Sequence, residues 1–192
     1  MPFRQPPRTH TAQGRPRRVG LEIEYSGIAI ESAAEVVARE TGGEVVRCDT
    51  FEHVVRAPRW GDFLVEMDST LMKSRFYKRW MKAVGLDPDE VLDTHSVDDA
   101  IRKIGQIVIP YEIVTPPIPL PDLPRMESLR EALRRARAEG TGASMVFAFG
   151  LHLNPEMPDL ELDTVRRLVR AYALLEDALR RIADVDLSRR VA

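Results

Sequence analysis

A single cysteine, Cys48, leaves this chain no partner for an internal disulfide, and no second Cys or close His gives it the pairing of a zinc site. Cys48 is expected to be a small, half-buried side chain, and a reducing cytoplasm fits such usage. Long hydrophobic runs are missing as well. No apolar stretch approaches the roughly 20 residues a membrane helix needs, which argues against an integral membrane protein. Net charge is nearly absent: 28 basic against 30 acidic residues leave a formal charge of -2. No global field therefore favours nucleic acid or an anionic membrane, and partners must be read from local sites. Internal repeats are also lacking. What is present, 44% hydrophobic and 30% charged residues over 192 positions, is the balance of one soluble globular domain with room for a real core.

The N-terminus is unlike the rest. Arg4, Arg8, Arg15, Arg17 and Arg18 occur there without an acid, a composition shared with transit peptides. Pro2, Pro6, Pro7 and Pro16 would interrupt the amphipathic helix such a peptide requires. Residues 1–17 therefore read as a flexible Arg/Pro-rich arm ahead of a domain spanning 18–192.

From Val19 the pattern alternates: Val19, Leu21, Ile23 and Tyr25 face one way, Gly20, Glu22, Glu24 and Ser26 the other, as in a half-buried strand. Ser32 and Glu35 have capping-box spacing, which predicts a helix from about Ala33 to Thr41, stopped by Gly42 and Gly43. Glu44–Cys48, Phe51–Arg56 and Asp62–Asp68 read as short strands of a meander. Beyond them come a helix and loop over 71–92, a short helix from Ser96 to Ile104, and a strand from Gln106 to Val114 ended by the Pro-rich run Pro116–Pro124. A helix from Arg125 to Glu139 carries Met126, Leu129 and Leu133 on one stripe and closes at Gly140. A strand from Ser144 to Asn154 and a long helix from Leu160 to Asp184 complete the pattern. The long helix gathers Val165, Leu168, Val169, Tyr172, Leu175, Leu179 and Ile182 on one face.

Four of these strands share a peculiarity. Their polar faces collect Glu22 and Glu24, Glu66 and Asp68, Glu112, and His152 with Asn154, with no Lys or Arg at the matching positions of those segments. A wet face of an antiparallel sheet explains alternation, and a solvated acidic face is the plain reading. It does not explain five like charges on strands, where acids are poor formers and like charges opposite each other repel. A counter-ion answers that repulsion. Mg²⁺ and Mn²⁺ take carboxylate oxygen, imidazole suits Mn²⁺ better, and bound phosphates can complete either coordination. Gly20, Ala148 and Gly150 on the same face leave room for a ligand near the backbone, or mark bulges.

The segments Arg18-Val-Gly-Leu-Glu-Ile-Glu-Tyr25, Val65-Glu-Met-Asp-Ser-Thr-Leu71, Tyr111-Glu-Ile-Val-Thr-Pro-Pro117 and Phe149-Gly-Leu-His-Leu-Asn154 resemble, in order and spacing, the successive motifs of the amidoligase family. The resemblance runs from Arg18 to the C-terminus. It implies an α+β fold like that of glutamine synthetase and glutamate-cysteine ligase, an antiparallel sheet with helices packed on one face and metal-nucleotide on the open face. The implied activity is an ATP- and Mg²⁺- or Mn²⁺-dependent carboxylate-amine ligase working through an acyl-phosphate. Glu22, Glu24, Glu112 and His152 would carry over as metal ligands, His152, Asn154 and Glu24 as nucleotide contacts, and Glu66 and Asp68 as catalytic residues lining the substrate cleft. Asn154 stands where many relatives have a second His, and Thr115 where Ser is common. Relatives continue into a segment that supplies a catalytic arginine, whereas this chain stops at Arg189-Arg190-Val191-Ala192. The expectation is a fold incomplete at its C-terminus, with the chain either a truncated form or completed by another subunit in a homo- or hetero-oligomer.

The partners so implied are a carboxylate and an amine, from an amino acid, a peptide or a protein side chain, with neither nucleic acid nor membrane. A non-catalytic metal- or nucleotide-binding module built on the same sheet is the rival reading. Other motifs carry less. Gly140-Thr-Gly-Ala-Ser144 lacks the Gly-Lys ending of a phosphate loop and runs from helix into strand. His53 and His95 have no partner at ligand spacing and read as surface or core-edge histidines. Lys73, Arg75, Lys78, Arg79 and Lys82 read as a solvated helix face. Ser69 has no evident His base.

Overall fold

A computed structural model describes residues 4–49, 51–68, 111–136, 138 and 150–182. The predicted elements between 69 and 110, the first half of the strand ending at Asn154, and Gly140 lie outside these residues. Among them the chain is α+β. Strand β1 (Arg18–Tyr25) is followed by helix α1 (Ile30–Thr41), β2 (Glu44–Arg47), β3 (Glu52–Ala57), β4 (Gly61–Met67), β5 (Tyr111–Val114) and β6 (Ile118–Pro119). A 3₁₀ turn over Leu120–Asp122 leads into α2 (Leu123–Arg135), and β7 (Leu151–Pro155) and α3 (Leu162–Ile182) are the last of the described elements.

All pairings are antiparallel, and the seven strands form one sheet in which β2, β3, β4, β5 and β1 lie side by side. β7 pairs with Val19–Ile23 of β1, a stretch that overlaps the partners of both β5 and β6, so β5 and β6 must share the opposite edge. Three steps from Glu22 to Val19 on β1 face four steps from Val114 to Ile118, so the connection through Thr115 is bulged by one residue. Thr115 closes that bulge: its N–H donates to Leu21 O at 2.9 Å and its hydroxyl accepts the Leu21 N–H at 2.9 Å.

The odd-numbered face is the core. Val19, Leu21 and Tyr25 of β1, Val55 and Ala57 of β3, Phe63 and Val65 of β4, and Ile113 of β5 are buried against Ile30, Ala33, Ala34, Val36 and Val37 of α1 and Met126, Leu129, Ala132 and Leu133 of α2. α1 begins three residues before its sequence pattern suggested. Ala29 is the N-cap without a side-chain bond, and Ser32 lies inside the first turn because burying Ile30 holds that turn on the sheet. Its end is as expected: Gly42 takes φ 66°, and a Cβ at Gly43 would come 2.8 Å from Arg56 O, so the chain passes directly over β3.

Two local expectations change. Cys48 is exposed, because the chain leaves β2 before reaching it. His53 is fully buried, its odd-face position placing it beside Val65 in the core. Residues 4–17 are extensively bonded: Arg17 donates to Glu156 O at 2.7 Å and Arg8 O at 2.6 Å, Ala12 N–H donates to Pro158 O, and Arg8 pairs with Asp159. No helix among the described residues is long and apolar enough to cross a membrane.

Candidate functional site

The even-numbered face carries the acids, and the register sets them in a row. Glu24 of β1 stands opposite Glu112 of β5, Glu112 opposite Glu66 of β4, and Glu66 opposite Glu52 of β3. Four carboxylates thus occupy adjacent positions on four neighbouring strands, an arrangement that like-charge repulsion disfavours unless something offsets it. Asp68, just past β4, adds its charge to the same end.

The other end is built by β7. His152 lies opposite Glu22 and Asn154 opposite Gly20. His152 Nδ1 is 2.9 Å from Glu22 Oε2, and its Nε2 is 3.5 Å from Glu24 Oε1. Asn154 Nδ2 donates to Glu22 Oε1 at 2.8 Å, the orientation required of an amide facing a carboxylate. Both oxygens of Glu22 are therefore held by β7.

Electrostatics follow the row. Glu112 is half-buried, and its carboxyl is pushed up to about 7, first by burial and then by the charges of Asp68, Glu66, Glu22 and Glu24. Glu66 is raised by burial, then by Glu52 and Asp68. Both shifts express one condition: carboxylates crowded on a partly dry surface resist full ionisation. Among the described residues, no group of three or more His, Cys, Asp or Glu side chains is arranged to hold a metal ion. The donors are nonetheless of the right kind, hard carboxylate oxygens with one imidazole.

The structure brings all seven sequence-selected residues, Glu22, Glu24, Glu66, Asp68, Glu112, His152 and Asn154, to one face. One member of the neighbourhood was missed, and the role of another, Thr115, was not foreseen. Glu52 completes the row, and its alternation with His53 and Val55 was visible, but its place opposite Glu66 depends on the β3–β4 register. Thr115 supports β1 from behind through its hydroxyl, a role that any hydroxyl residue would signal only weakly.

Compared with known proteins, residues 15–192 match a family model whose description is "putative amidoligase enzyme". No curated protein and no solved structure matches the chain.

Proposed function

From the chain's membership of the amidoligase family, to which it belongs over nearly its whole length, we propose that it is an ATP- and divalent-metal-dependent carboxylate-amine ligase with a glutamine-synthetase-like fold. The observation that carries this reading is the cross-strand row Glu24, Glu112, Glu66 and Glu52, flanked by Glu22 and His152. A sheet that aligns like charges in register is best reconciled with a cation on that face, and Glu22, Glu24, Glu112 and His152 are the residues that would hold it. When bound, Mg²⁺ or Mn²⁺ with ATP supplies neutralising charge and the phosphoryl group that activates a carboxylate as an acyl-phosphate.

The chain's own residues divide the remaining tasks. His152 and Asn154 fix Glu22, so that its carboxylate enters the site in one orientation. Glu66 and Asp68, at the far end of the row, face the amine: their negative charge attracts an ammonium, and the raised affinity of Glu66 for protons suits it to accept one as nitrogen becomes nucleophilic. Gly20 leaves the backbone of β1 open between Glu22 and the rim: among the described residues, only Asn154 Cβ comes within 4.0 Å of a substituent there.

Titration calorimetry with a non-hydrolysable ATP analogue and Mn²⁺ tests the reading. Glu22→Gln, Glu24→Gln and Glu112→Gln should each weaken binding about tenfold or more, since removing an anionic ligand leaves the set under-coordinated. Equal binding by all three variants and the parent would remove the metal-sheet reading. Binding without phosphate release in the presence of diverse carboxylates and amines would instead assign a non-catalytic module.

A further inference from the structure

Helix α3 has a strongly amphipathic sequence, yet none of its residues is buried. Val165, Leu168, Tyr172, Leu175, Leu179 and Ile182 follow one another at spacings of three, four, three, four and three, the a/d seam of a left-handed coiled coil sustained over the helix. From Leu168 onward these side chains are 44% to 81% exposed. The charges keep clear of the seam: Arg166, Arg167, Arg170, Asp177, Arg180 and Arg181 fall at b, c and f positions, while the flanking e and g positions hold Val169, Ala171, Glu176 and Ala178. Flanks so poor in charge need no opposite-sign partner, and the two alanines allow close approach of a second helix.

A strict 3-4 repeat fits a helix running alongside better than a flat sheet, and the seam is complementary to itself. Turned antiparallel about a two-fold axis between Tyr172 and Leu175, it forms six a–d layers from three pairings each made twice: Val165 on Ile182, Leu168 on Leu179, and Tyr172 on Leu175. Ala171 then meets Ala178 and opposed dipoles lie side by side. The exposed seam amounts to on the order of 600 Å² per copy, or roughly 1,200 Å² for a pair, which reaches the lower bound of a stable specific interface. We propose that α3 is a dimerisation element, pairing antiparallel with α3 of a second copy of this chain.

Sedimentation of the full chain should give twice its 21.8 kDa mass. Leu175→Glu should halve that mass without changing the circular dichroism spectrum, because residue 175 is exposed within its own copy. Arg170→Glu, at an outward position, should leave the dimer intact. In a Cys48→Ser background, an equal mixture of Tyr172→Cys and Leu175→Cys chains should oxidise to the mixed disulfide in preference to either like pair. A monomer at tens of micromolar, a dimer that survives Leu175→Glu, or like-with-like disulfides would each overturn the proposal. None of these outcomes depends on nucleotide or metal binding, so the ligase reading stands or falls separately.

Discussion

Glu112 occupies the most crowded position in the row, with a carboxylate opposite it on each neighbouring strand. Its folded-state value of about 7 against an ordinary 4.5 means that the metal-free native chain binds a proton the unfolded chain has already lost. Between those values the native state holds more protons, so stability is fully present below pH 4.5 and declines as pH rises through 7. Asp122, Glu127 and Asp159 are lowered by hydrogen bonds and arginine neighbours, and their contributions are lost only on further acidification, so the windows do not overlap. Discounted for solvent screening, the Glu112 effect is about 1 kcal/mol. Urea unfolding in chelator should show the parent more stable at pH 5 than at pH 7.5, and Glu112→Gln should flatten that difference mainly by gaining stability at pH 7.5. An unchanged pH slope in the variant would assign the strain to another carboxylate.

The elements were legible to different depths. β1 through β4 and the apolar stripe of α2 follow from periods of 2.0 and 3.6, which each residue's own neighbours express. Register is different in kind: whether Glu52 meets Glu66 depends on the Pro58–Trp60 turn, where Arg59 and Trp60 are both tied to Asp122, 62 or more positions away. β6 was hidden in the Pro-rich run, since Pro119 removes a donor and disguises a strand that its partners Arg18 and Val19 reveal. The amphipathic face of α3 was plain, whereas its exposure is a property of surroundings that local sequence does not encode. Thr115 joins these levels, because one hydroxyl satisfies the N–H that the bulge takes from the β1 ladder. Thr115→Val keeps the shape but buries that N–H unsatisfied, and should destabilise the chain by about 1–3 kcal/mol. Thr115→Ser should lose much less, because it keeps the hydroxyl that accepts the Leu21 N–H. Chemical denaturation of the three proteins decides it, and equal losses for Val and Ser would show that the methyl group matters rather than the hydroxyl.

At the scale of the whole molecule, the N-terminal segment is fastened to the segment that follows β7, with one buried arginine at the centre of the contact. Arg17 is almost fully buried and bonds the carbonyls of Arg8 and Glu156, while Arg18 exchanges bonds with Glu156 through its N–H and its carbonyl. Glu156 directly follows β7, the strand that brings His152 and Asn154 to Glu22. The N-terminal segment, outside the acidic face in sequence, thus anchors the end of the strand that organises it. Arg17→Ala should cost about 2 kcal/mol, the order expected for losing hydrogen bonds to a charged donor in a half-dry site. Arg17→Lys should recover little, because an ammonium lacks the planar fork that reaches two carbonyls at once. Hydrogen exchange separates a local effect from general loosening: in Arg17→Ala the β7 amides should exchange faster relative to those of α1, β3 and β4, whose contacts lie across the sheet. On the proposed function, metal-nucleotide affinity should fall with them, since Glu22 would lose its two β7 partners part of the time. Uniform acceleration over the whole sheet, or none at β7, would mean that the clasp holds the terminus alone and leaves the site unaffected.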